Sequence, residues 1–108
     1  MIPREEFGPL EQIVVDVAYF DELQAKYKYL LVIIDRFSKL VRLVPLIRQD
    51  EITVSETVKN QWIYKLGKPK AILSDRGKVF EGREMKALSA KFGIQQEFIS
   101  LYEHSLKG

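Results

Sequence analysis

The sequence predicts an α/β domain built on a mixed five-stranded sheet with flanking helices, and three observations lead there. Three apolar, strand-like runs follow one another between residues 13 and 46 with only short breaks between them, as in an antiparallel meander. From residue 53 the apolar residues recur at helical spacing, and two helical segments alternate with two further short strands. A chain of 108 residues, 46% hydrophobic and 30% charged, suffices for one core and not for two. Helical crossovers join parallel strands, so strands four and five are expected to run parallel to strand one.

The first strand is "IVVDVAYF", Ile13 to Phe20, and it carries Asp16 in its middle, where an unpartnered carboxylate would be costly. "KYLLVIID" (Lys28 to Asp35) is the second, and "KLVRLVPL" (Lys39 to Leu46), which alternates more clearly, the third. Only "RFS" separates them, so they read as an antiparallel hairpin, and Asp35 reads as the cap of its turn rather than as a site residue.

After "IRQD" the period changes. Thr53, Val54, Ser55 and Glu56 match a capping box at a helix start, and Val58, Trp62, Ile63 and Leu66 continue at helical spacing until Gly67 and Pro69 stop it, about four turns on. "KAILS" (Lys70 to Ser74) is the fourth strand, Met85, Leu88 and Phe92 mark a second helix closed by Gly93, and "IQQEFIS" (Ile94 to Ser100) is the fifth strand. Trp62 and Met85, on helical stripes, are most simply core.

The fourth strand ends on an acid, Asp75, and Gly77 then allows a sharp turn. In a sheet of the expected order, the middle of strand one and the end of strand four are neighbours, which brings Asp16 and Asp75 together. Adjacent carboxylates repel unless something positive lies between them. A hard divalent cation such as magnesium, which prefers carboxylate oxygens, is the simplest answer.

Other chemistries are excluded or weakly supported. There is no cysteine for a disulfide or a thiolate zinc site, and the lone His104 builds no histidine cluster and reads as a solvated loop residue. The longest apolar run, Tyr29 to Ile34, is far shorter than the ~20 residues of a membrane span, and the N-terminus has no secretory pattern. A soluble, intracellular protein without a membrane partner is expected. Seventeen Lys and Arg against fifteen Asp and Glu give a formal charge of only +2, so an anionic partner would be held by local patches. Lys65, Lys68 and Lys70 precede the proposed site in sequence and read individually as a solvated rim, whereas Arg76 and Lys78 flank its turn, where a phosphate backbone would pass.

These segments together, above all "DRFSK" and "LSDRG", resemble the catalytic core of retroviral and gypsy-type retrotransposon integrases, from about Pro9 to about Ser100. The resemblance implies a ribonuclease H-like fold whose three acids bind two Mg2+ or Mn2+ ions for DNA 3'-end processing and strand transfer. Asp16 takes the first acid's place and Asp75 the second's; Asp16 would bridge both ions and Asp75 hold one. The third, a helical glutamate, falls three residues beyond Gly108 by the family's spacing. Residues 1–108 are accordingly expected to be a single, C-terminally incomplete core domain that does not perform strand transfer alone. The family's Pro-Tyr-His-Pro-Gln-Ser-Asn-Gly lead into that helix corresponds to "LYEHSLKG", where only Tyr102 and Gly108 agree. DNA, both retroelement ends and target, is the implied partner, with a homodimer or larger assembly of the full-length parent and a nuclear site of action.

Two other classes stay open. The altered "LYEHSLKG" stretch favours a domesticated, inactive integrase-like module that binds nucleic acid or another protein. A different two-metal nuclease of the same fold, such as a ribonuclease H, is less favoured because "DRFSK" and "LSDRG" look like integrase segments.

Overall fold

A computed structural model describes residues 7–20 and 26–99. The element order is β1 (Gln12–Tyr19), β2 (Tyr29–Asp35), β3 (Val41–Leu46), α1 (Glu51–Val58), a π-helical stretch (Lys59–Ile63), α2 (Tyr64–Leu66), β4 (Ala71–Ser74), α3 (Lys78–Glu81), α4 (Arg83–Phe92) and β5 (Gln95–Phe98). The strands form one sheet in the order β3-β2-β1-β4-β5. β1, β2 and β3 pair antiparallel, while β4 is parallel to both β1 and β5, as the helical crossovers require.

Strand alternation decides where the core sits. Ile13, Val15, Leu31, Ile33 and Ile72 point to one face and pack with Val54, Val58, Trp62, Met85 and Leu88 from the helices. Trp62 and Met85 are both fully buried, as their helical spacing predicts. On the opposite face Val14, Val32 and Ile34 are half-buried, and Val41 and Leu43 on the edge strand are exposed. No described helix is long and apolar enough to cross a membrane.

The β2–β3 turn is organised by Asp35. Its buried carboxylate accepts hydrogen bonds from the Ser38 hydroxyl at 2.6 Å, from the Ser38 N–H at 3.1 Å and from the Phe37 N–H at 3.4 Å. Burial pushes the carboxyl upward, but these bonds and one from the Leu10 N–H outweigh it and hold Asp35 below its ordinary value. Lys39 closes the turn with φ of 70° and donates its N–H to the Asp35 carbonyl. The turn cap read from the sequence is thus also a tie to the entry of β1.

The first helix departs from its expected start. Asp50, not Thr53, is the N-cap, and its side chain accepts the Thr53 N–H at 2.7 Å. Thr53 and Glu56 lie inside the helix, where the Thr53 carbonyl accepts from Thr57 and Glu56 pairs with Lys59, so the capping box does not form. Starting earlier lets Glu51 reach the N-terminus of α4, where its carboxylate accepts the Glu84 N–H at 3.3 Å and fills the space a side chain on Gly82 would need. Further on, the wider π turn brings Ile63 to the same buried side as Val58, five residues back. α4 ends as expected at Gly93, whose φ of 66° is the left-handed C-terminal conformation that glycine adopts without strain.

Candidate metal and nucleic-acid site

β1 and β4 run side by side with Ile13 opposite Ile72 and Val14 opposite Leu73. Carried two residues further, that register sets Asp16 beside Asp75, and both line a single cleft of about 450 Å³. Both are exposed to solvent. The cleft lies where β4 ends beside the middle of β1; at a strand's carboxyl end the backbone leaves the sheet, and there open α/β sheets place their ligands.

Each acid is steadied by its own neighbourhood. Asp16 Oδ1 accepts the Val17 N–H at 2.9 Å. Asp75 Oδ1 accepts the Gly77 N–H at 2.8 Å, which closes a tight turn leading into α3. The turn does not require glycine for its backbone, since φ at Gly77 is −68°, open to any residue, but a β-carbon there would stand 3.0 Å from Asp75 Oδ1 and the carboxylate would have to give way slightly. Beneath the turn, Ser74 is buried and its hydroxyl donates to the Asp75 carbonyl.

Arg76 and Lys78 part company. Lys78, the first residue of α3, lines the cleft with the two acids. Arg76 is not among the lining residues; its guanidinium donates to Glu81 Oε2 at 2.7 Å and lies over the Phe98 ring at 4.7 Å. None of Lys65, Lys68 and Lys70, which precede the site in sequence, lines it, and the four residues of β4 hold Lys70 ~13 Å from Asp75. Gln49, Val79 and Phe80 also line the cleft and were not legible beforehand, since α3 is too short to show a periodic pattern and Gln49 sits in an irregular link.

The donor set suits hard cations. Two carboxylates offer oxygen ligands, and no cysteine exists in the chain to favour softer metals. Among the described residues no group of three His, Cys, Asp or Glu gathers to form a complete cage. The position counted for a third acid, the "LYEHSLKG" stretch and His104 lie outside the described residues.

The sheet order, the meander followed by parallel crossovers and the two acids, one within β1 and one at the end of β4, define a ribonuclease H-like domain. The chain belongs to the integrase core domain family, whose model matches residues 8–104. It is 31% identical over 84 residues to the Pol polyprotein of Feline endogenous virus ECE1, covering 78% of this chain, and 29% identical over 110 residues to the Transposon Tf2-3 polyprotein of Schizosaccharomyces pombe, covering 99%. In both cases the chain spans only 8% of the relative's length. Among solved structures, the HTLV-2 integrase catalytic core domain in complex with magnesium, in its trimeric form, superposes with a TM-score of 0.72 at 26% identity, covering 93% of this chain and 66% of that one. The simian T-cell lymphotropic virus intasome in complex with PP2A regulatory subunit B56 gamma gives 0.77 at 22% identity, covering 91% and 34%, a likeness of fold.

Proposed function

We propose that this domain is the catalytic core of a retroelement integrase that transfers DNA 3' ends into target DNA, with Asp16 and Asp75 as its metal-holding acids. The observation that carries the reading is the shared cleft of these two residues, which come from strands far apart in sequence. Divalent cations, when bound, would favour formation of the attacking hydroxide or alkoxide and stabilise charge on the leaving oxygen. Asp16 and Asp75 would supply the oxygens that fix such ions, and a glutamate three residues past Gly108 would complete the set.

The chain's other residues position and shield. The Gly77 N–H fixes the rotation of the Asp75 carboxylate, so less freedom is lost when a ligand arrives. Lys78 offers a cation to the scissile strand's phosphates at the cleft, and the nearly buried Phe80 gives it an apolar wall. Self-association belongs to the proposal as well, since the HTLV-2 core is known in dimeric and trimeric forms.

Strand transfer between labelled oligonucleotides, with protein that continues past the counted glutamate position, tests the reading. Asp16→Asn and Asp75→Asn should each lower it by more than about a hundredfold while the fold and salt-sensitive DNA binding persist. Full activity in Asp75→Asn would remove the mechanism. An inactive wild type that still binds DNA would turn the reading to the binding module that the altered "LYEHSLKG" stretch favours.

A further inference from the structure

At the end of the sheet opposite the acids, the start of β1 meets the β2–β3 turn. Phe7, Gly8, Gln12, Arg36, Phe37 and Lys39 line a second cleft there, of about 210 Å³. Phe37 is 61% exposed, an unusual state for a phenylalanine on a turn held so firmly from below by Asp35. Arg36 is steadied by Gln12 Oε1 at 3.1 Å, which engages one of its five donors. Lys70 adjoins this end, because its N–H donates to the Glu11 carbonyl just before Gln12. The nearby acids are engaged within the protein: Glu11 takes the Gly8 N–H and Lys70, Glu97 takes the Gln12 amide, and Asp35 is satisfied inside its turn.

We infer that this cleft is a second nucleic-acid contact, separate from the catalytic cleft, which takes a single-stranded segment by stacking a base on Phe37 while Arg36 and Lys39 meet its phosphates. Cations interleaved with exposed aromatic rings are the chemistry of sequence-tolerant single-strand binding. The cleft is smaller than the ~300–1,000 Å³ of a site that encloses a whole small molecule, so it suits one base or phosphate of a chain that continues past it. The surface does not depend on Asp16 or Asp75, and its failure would leave the proposed function untouched.

Fluorescence anisotropy with a labelled single-stranded 20-mer and its duplex, in EDTA so that no divalent ion bridges the acids, provides the test. Phe37→Ala, and Phe37→Leu as the variant that keeps apolar bulk, should weaken single-strand binding about tenfold and leave duplex binding within about twofold. The double variant Arg36→Ala/Lys39→Gly, with glycine chosen for the φ of 70° at position 39, should lower the slope of log affinity against log salt by about 1.4. Thermal melts establish that the variants are folded. Unchanged single-strand affinity in both Phe37 variants would overturn the inference. So would binding of poly-glutamate with the same affinity and the same dependence on Phe37, which would assign the surface to an acidic protein.

Discussion

Asp75 and Gly77 hold each other in place: the Gly77 N–H donates to Asp75 Oδ1 at 2.8 Å, and a β-carbon on Gly77 would stand 3.0 Å from that same oxygen. The turn is therefore closed by a bond that only the smallest residue allows without pushing the carboxylate aside. Gly77→Ala should change folding stability by less than about 1 kcal/mol, since the backbone angle suits alanine. It should nonetheless halve or abolish any stabilisation by Mn2+, because the displaced oxygen belongs to the proposed ligand. Denaturant unfolding with and without Mn2+ separates the two effects, and a full Mn2+ response in the variant would show that the placement of this oxygen is unimportant.

A second expectation concerns pH. The hydrogen bonds to Asp35 hold its folded value below the ordinary carboxylate value of about 3.9, so its contribution is fully present above that pH and lost as the pH falls below it. Glu11 is lowered by the Gly8 N–H and by Lys70, and Asp50 by Thr53, in the same direction. Asp35→Ala should cost about 2–4 kcal/mol at pH 7 and make the remaining loss of stability below pH 4 shallower than in the wild type. Urea unfolding across pH 3 to 7 measures both; an unchanged pH slope would contradict the assignment.

Glu51 and Gly82 join α1 to α4. Gly82→Ala places a methyl group where the Glu51 carboxylate lies; that flexible side chain should swing aside and give up its bond to the Glu84 N–H, at a cost of about 0.5–1.5 kcal/mol, so the double variant Gly82→Ala/Glu51→Ala should lose less than the sum of the two single losses. Additive losses in the double-mutant cycle would mean that the two positions do not interact.

At the cleft, Lys78 and Arg76 should differ. Lys78→Ala is expected to lower the salt slope of duplex DNA binding by about 1, as loss of one phosphate contact does. Arg76→Ala should lower it less, because Glu81 already neutralises much of its charge at 2.7 Å. Equal slopes for the two variants would count against this division.

What could be read from sequence follows from how local each determinant is. The crossovers fix strands β1, β4 and β5 as parallel neighbours, and that topology alone is enough to anticipate Asp16 beside Asp75. Gly93 announces the end of α4 because a left-handed terminus is a one-residue property. The start of α1 differs from its local signature, since Thr53 to Glu56 match a capping box while Asp50, three residues earlier, is the cap, and the earlier start lets Glu51 reach an N-terminus 33 residues away. The basic residues separate for a related reason. Proximity in sequence groups Lys68 and Lys70 with Arg76 and Lys78, but the strand between them carries the two pairs to opposite ends of the sheet.

The central claim is that Asp16 and Asp75 serve one divalent-cation site, and thermal melts in Mn2+ of the wild type, Asp16→Asn, Asp75→Asn and the double variant test it most directly. Binding to the native state alone raises stability with the ratio of ion concentration to dissociation constant. The wild type should therefore melt higher in Mn2+, each single variant should lose most of that shift, and the double variant should lose little more than either. Without metal, Asp75→Asn should melt at or slightly above the wild type, since it removes one of two neighbouring negative charges. A Mn2+ shift in Asp75→Asn equal to that of the wild type, or losses that simply add in the double variant, would contradict a shared site.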